Sequence, residues 1–199
     1  MKIGVFGGTF DPIHLGHLIV ADEAREMLEL DEVLFIPAGR PWVKAGTPVT
    51  AACHRMAMVE MAVTPTPWFR AVDVDMKRPG PTYTVDTLLE LRSELGEEAD
   101  LYLILGLDAV QDMARWHRPA QIFELCTVVG MSRPGALGLD LAVLDAVAPN
   151  AAGRVILLEG PLVSLSGTDL RRRVREGRSI RHRVPEAVEV YIYEHGLYR

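Results

Sequence analysis

The sequence predicts an α/β fold in which a mainly parallel, doubly wound sheet carries helices on both faces. Short apolar runs recur along the chain, at residues 3–6, 33–36, 69–74, 101–105, 127–131 and 155–158. Helical patterns separate them, and that alternation is what parallel strands joined by right-handed helical crossovers require. The first run also ends in Gly7 and Gly8 and leads directly into an amphipathic helix. A strand, a tight glycine turn and a helix start form the junction at which a Rossmann-like sheet holds a nucleotide.

Each element has its own pattern. The first helix places Val20, Ala24, Met27 and Leu28 on one face, which predicts their burial and an end near Asp31. Further helices are predicted over 52–63, 84–95, 108–113, 139–147, 168–176 and 185–195. Residues 39–50 and 77–81 read as long loops, both following strand ends, and long loops in compact domains tend to serve function. In an open parallel sheet the ligand lies outside the carboxyl ends of the strands, so these loops should converge there.

Composition sets outer limits. A chain of 199 residues with 49% hydrophobic content suits one well-buried core, so residues 1–199 are read as a single domain. The chain has no apolar run long enough to span a bilayer, and it opens on a strand pattern instead of a basic and apolar leader, so a cytoplasmic protein without a membrane partner is expected. The net charge of −6 argues against a broad electrostatic grip on nucleic acid, so an anionic substrate needs a local cluster of cations. The arginine-rich stretch holding Arg171, Arg172, Arg173, Arg175, Arg178, Arg181 and Arg183 is read as a solvated face, Arg171 excepted. Cys53 and Cys126 lack the spacing of a zinc or redox motif and are expected to be reduced packing residues. Sequence alone leaves a homo-oligomer open.

The stretch Gly7-Gly8-Thr9-Phe10-Asp11-Pro12-Ile13-His14-Leu15-Gly16-His17 carries the chemistry. It is neither a P-loop nor a Gly-x-Gly-x-x-Gly dinucleotide fingerprint. Gly16 lets a phosphate approach the helix start. His14 and His17, a helical turn apart on one face, could donate hydrogen bonds or positive charge to phosphate at the positive end of the helix dipole. Two imidazoles at that spacing could also hold zinc, but no third ligand has matching spacing. A Ser hydrolase is disfavoured by the absence of a Gly-x-Ser-x-Gly elbow.

The His-x-Gly-His element resembles that of the nucleotidyltransferase superfamily, and the longer stretch resembles the nicotinate mononucleotide adenylyltransferases of NAD biosynthesis. A second stretch, Leu165-Ser166-Gly167-Thr168-Asp169-Leu170-Arg171, fits a capped helix start with Arg171 in the first turn. It is similar to the superfamily's second signature, Ile-Ser-Ser-Thr-x-x-Arg, with Gly167 where serine is usual. Pro41-Trp42-Val43-Lys44 is similar to the family loop Pro-Pro-His-Lys and keeps the lysine.

Gly106 and Asp108, after a strand, resemble a Gly-x-Asp element whose aspartate binds ribose hydroxyls, although Asp108 could equally cap the helix it begins. The helix start at Thr84 offers N–H groups that suit a carboxylate. By the resemblance, Thr84 and Trp116 line a nicotinate pocket; an N-cap threonine and a core tryptophan are the plainer readings. Arg133, again at a strand end, could meet a phosphate.

The resemblance, which runs nearly end to end, implies AMP transfer from ATP to nicotinate mononucleotide. It implies that His14, His17, Lys44 and Arg171 grip the triphosphate beside Thr9, Ser166 and Thr168, with Mg²⁺ bridging phosphate oxygens. Gly7, Gly8, Phe10, Gly106 and Asp108 would frame the adenosine. A sibling transferase for another phosphate acceptor, or a non-catalytic nucleotide sensor, are the alternatives.

Overall fold

The computed structural model describes residues 1–40, 49–132 and 142–199. Its centre is one six-stranded sheet, all of whose strand pairs are parallel, formed by β1 (Lys2–Gly8), β2 (Glu32–Pro37), β3 (Phe69–Ala71), β4 (Asp100–Gly106), β5 (Thr127–Ser132) and β6 (Val155–Glu159). The strand order is β3-β2-β1-β4-β5-β6, so the order reverses between β1 and β4. That reversal parts the crossover connections on either side and opens a crevice at the strands' carboxyl ends.

Side chains alternate faces along each strand, and two apolar layers result. Phe6, Val33, Phe35, Ile104 and Val129 enter one layer with residues of α1 (Leu15–Leu28), α2 (Ala52–Val63), α8 (Gly167–Arg175) and α9 (Glu186–Glu194). Ile3, Val5, Leu34, Ile36, Leu101 and Leu103 enter the other with residues of α4 (Thr84–Leu95), α5 (Leu107–Asp112) and α6 (Pro119–Leu125). The expected doubly wound α/β architecture, helices on both faces, is therefore the observed one. Among the described residues no helix is long and apolar enough to cross a membrane.

Several local expectations are corrected. Met27 is 50% exposed, because the chain turns left-handed at Glu29 (φ 53°) and delivers Leu30 to the core in its place. The run 69–74 is strand only to Ala71; Val74 begins the short helix α3 (Val74–Lys77), whose turn is spanned by an Asp73–Lys77 ion pair at 2.8 Å. Helix α6 was not anticipated, although Pro119 at its first position is a helix-start signal. Of the predicted helix 139–147, the structure describes α7 (Ala142–Asp145). Cys126 is buried and packs, donating to the Ile122 carbonyl, whereas Cys53 is exposed, contrary to the packing role expected of it.

Candidate active site

A cavity of about 490 Å³ opens at the carboxyl ends of β1, β4 and β5. Its floor and walls include Thr9, Phe10, His14, Gly16 and His17 from the first motif and Ser166, Gly167, Thr168 and Arg171 from the second, with Gly106 at the end of β4. Two stretches separated by roughly 150 residues of chain thus meet at one place, and both supply helix N-termini. The dipoles of α1 and α8 bring partial positive charge to the same space, which suits an anion.

Helix α1 begins at Leu15, so His14 is its N-cap residue and lies just outside the helix proper. The two imidazoles nevertheless meet, their rings stacked with centroids 3.6 Å apart. The His17 Nδ1 accepts the His14 backbone N–H at 3.1 Å, which keeps a neutral His17 protonated on Nε2. His14 is only 6% exposed, and burial pushes its imidazole down to about 4. It is neutral at pH 7 and can offer a hydrogen bond but no positive charge. Its Nδ1 is buried with no hydrogen-bond partner among the described residues. A Cβ added at Gly16 would stand 3.1 Å from that Nδ1 and 3.3 Å from Val163, so glycine keeps the helix start open beside the ring.

Helix α8 is capped as its sequence indicates, the Ser166 hydroxyl accepting the Asp169 N–H at 3.2 Å. Arg171 is the fifth residue of this helix and sits past the first turn, contrary to the sequence reading. Its Nη1 donates to the Asp11 carbonyl at 2.6 Å and its Nη2 to the Thr168 hydroxyl at 3.3 Å. The second motif is thereby tied to the turn of the first. Gly167 permits this approach, since a Cβ there would stand 2.8 Å from the same Asp11 carbonyl oxygen.

Phe10 has a left-handed backbone (φ 48°) that folds its ring back over Gly8 and into an edge-to-face cluster with Phe6 and His17. The ring is 2% exposed, so its contact with a ligand is confined to an edge. Gly7 and Gly8 close β1 without lining the cavity. Asp108 is exposed in the first turn of α5, where Gly106 is the N-cap and no side chain caps the helix, so the capping reading falls. Thr84 is likewise the first helical residue of α4, with Tyr83 at the N-cap. Trp116 is half-buried against the second apolar layer, neither core nor free surface. Thr84, Asp108 and Trp116 do not line the main cavity. Lys44 and Arg133 lie outside the described residues.

A cytidylyltransferase-like family model matches residues 5–173. Over its whole length the chain is 49% identical to a Thermomicrobium roseum protein named probable nicotinate-nucleotide adenylyltransferase, covering 92% of that protein. The chain belongs to the nicotinate-nucleotide adenylyltransferase family. A Thermus thermophilus protein of the same name is 47% identical over the full length of both chains. In fold, the chain matches Plasmodium falciparum nicotinic acid mononucleotide adenylyltransferase complexed with APC at a TM-score of 0.76, covering 99% of this chain and 96% of that one at 21% identity.

The adenylyltransferase motifs account for only part of the site. The cavity wall also takes Met131, Ser132, Gly160, Pro161, Val163 and Leu165 from strand ends and the segment before α8. Of these only Leu165 belongs to a motif stretch; the others follow strand ends without a signature of their own. More important is Arg55, in α2, which is 1% exposed. Its guanidinium donates to the carbonyls of Thr9 at 2.8 Å, Thr50 at 2.8 Å and Gly39 at 3.1 Å. Burial lowers its basicity, an effect opposed by the nearby Asp11, and an arginine keeps its charge regardless. One buried cation therefore ties the first motif to both flanks of the 40–49 segment. Nothing in the spacing of the sequence announces it.

Proposed function

We propose that this chain transfers AMP from ATP to nicotinate mononucleotide, giving deamido-NAD and pyrophosphate. The observation that carries the reading is the meeting of His14, His17, Ser166, Thr168 and Arg171 around one cavity at the switch in strand order, with two helix N-termini aimed into it.

The nucleophile is a phosphate oxygen of the mononucleotide, already anionic at neutral pH, so neither a general base nor a covalent intermediate is needed. It attacks the α-phosphorus of ATP in line as the bond to the β-phosphate oxygen breaks, and pyrophosphate leaves with that bond's electron pair. The obstacle is the repulsion of two anions and the charge that grows on the departing group. Arg171 supplies fixed positive charge, and Lys44, by the family motif, supplies another. His17 Nε2–H and neutral His14 supply hydrogen bonds, joined by Thr9, Ser166, Thr168 and backbone N–H groups. Among the described residues no three His, Cys, Asp or Glu side chains form a metal-binding group. The Mg²⁺ enters with the substrate as MgATP, in which it offsets phosphate charge.

On the adenosine side, Gly106 and the edge of Phe10 line the cavity, Gly7 and Gly8 shape the turn that leads into it from β1, and Asp108 serves the ribose from the first turn of α5, outside the main cavity. Thr84, Trp116 and Arg133 serve the mononucleotide. The whole chain acts as one catalytic unit in the cytoplasm, without nucleic acid or membrane.

Pyrophosphate release with ATP and nicotinate mononucleotide tests the reading. Turnover that depends on both substrates supports it. Tight MgATP binding with no pyrophosphate from any mononucleotide would leave a nucleotide sensor in its place.

A further inference from the structure

The last turn of the chain comes back to the first motif. After α9 the backbone reverses through Gly196 (φ 60°) and Tyr198 (φ 66°), and the Leu197 N–H donates to the Ile192 carbonyl at 3.0 Å. This places the Tyr198 hydroxyl against Asp11, donating to Oδ1 at 2.7 Å across 187 residues of sequence. The second carboxylate oxygen, Oδ2, accepts the Thr50 N–H at 3.3 Å. Asp11 is itself buried. Both of its oxygens are thus engaged, and its rotamer is set from two sides.

The consequence falls on Arg171. Its Nη1 donates to the Asp11 backbone carbonyl at 2.6 Å but stands 3.9 Å from Oδ2, too far for a hydrogen bond to the carboxylate. A carboxylate this close to a guanidinium would ordinarily swing round and take it in a two-point ion pair, the strongest arrangement open to the two groups. Such a pair would occupy the N–H groups that a triphosphate needs. The hydroxyl of Tyr198 holds the carboxylate away from that geometry.

We propose that Tyr198 is a positioning residue for the phosphate grip, keeping Asp11 from capturing Arg171 and so leaving the guanidinium directed at phosphate. The proposal rests on the reading of Arg171 as a phosphate ligand.

Tyr198→Phe, which keeps the ring, is compared with the parent, Arg171→Ala and the double variant, by calorimetric binding of MgATP and by pyrophosphate release. In the parent background the hydroxyl's loss should weaken MgATP binding and lower kcat by about tenfold each, with KM for nicotinate mononucleotide changed less than about twofold; in the Arg171→Ala background it should cost less than about twofold in binding. Parental binding and kinetics in Tyr198→Phe would overturn the proposal. So would an equal loss in both backgrounds, which would show that the tyrosine does not act through Arg171. If the binding cycle behaves as stated while no protein releases pyrophosphate, the proposal stands and the transfer reading fails.

Discussion

His17 turns its Nδ1 to the His14 backbone N–H, at 3.1 Å, and stacks on the His14 ring 13° from parallel. One imidazole thus caps the helix with one nitrogen and presents an N–H with the other. Replacing His17 with Ala should lower kcat by about two to three orders of magnitude, the usual cost of one transition-state donor, with nicotinate mononucleotide affinity nearly kept. The lost cap adds about 1 kcal/mol of instability. An equal loss in mononucleotide affinity, or a chain that no longer folds, would take His17 out of that role.

The buried neutral His14 gives the protein a signature in acid. Its folded value is about 4 against 6.5 in the unfolded chain, so above pH 6.5 neither state binds the proton and the site is indifferent. Below that only the unfolded state takes it up, and stability drains away until pH 4, by about 3 kcal/mol in all. Asp75 works in the opposite sense: burial raises its carboxyl to about 6, so its contribution is full below pH 3.8 and is lost as pH rises through 6. Denaturant melts of the parent and of His14→Gln should therefore converge as pH falls from 6.5 to 4, whatever Asp75 contributes to both. A constant difference across that range would mean that His14 is protonated in the fold.

The sheet was legible because its strands are short apolar runs, those of β1, β2, β4 and β5 buried on both faces, a signal that survives without context. The two motifs were legible because backbone approach to phosphate demands glycine and helix caps at fixed spacing. What could not be read were contacts made across the sequence. Arg55 looks like any helix arginine until Thr9, Gly39 and Thr50 converge on it. Tyr198 belongs to an ordinary chain end until it meets Asp11. The neutral state of His14 likewise depends on burial, which spacing does not disclose.

Gly167 stands where serine is usual in the superfamily signature, and the contact with Asp11 makes that difference testable. A Cβ would lie 2.8 Å from a backbone oxygen and 3.3 Å from the Arg171 Nη1, so the backbone of the first motif or of α8 must shift to admit it. Gly167→Ala should lower stability by about 1–3 kcal/mol, the common range for overpacking, and reduce kcat by disturbing Arg171. Thermal melting and turnover together check it; parental values for both would mean that α8 has room to retreat from Asp11.

Arg55 should matter most to stability. Arg55→Met leaves three carbonyls at Thr9, Gly39 and Thr50 without their donor, each costing about 1–3 kcal/mol when buried. Arg55→Lys keeps the charge but not the three-way fork, and should fall between. The expected order of melting temperatures is parent, Lys, Met, with the Met variant lower by roughly 10 °C. A Met variant within a degree or two of the parent would show that water replaces the guanidinium.

Nicotinate mononucleotide should be preferred over the nicotinamide form. The internal hydrogen bonds of α4 begin with Asp86 and Thr87, both donating to the Tyr83 carbonyl, so the N–H groups of Thr84 and Val85 point out of the helix start. A carboxylate placed there accepts two such bonds and gains from the dipole, whereas an amide brings one oxygen and an NH₂ that faces donors. The one acidic side chain of that first turn, Asp86, is paired with Arg118, which limits its repulsion of an incoming carboxylate. An unpaired buried donor costs about 1–3 kcal/mol, so kcat/KM should favour the acid by roughly ten- to a few hundred-fold. Trp116 can stack on either ring and should not discriminate. Comparable kcat/KM for the two mononucleotides would move the carboxylate away from Thr84 and make the enzyme indifferent to the acid.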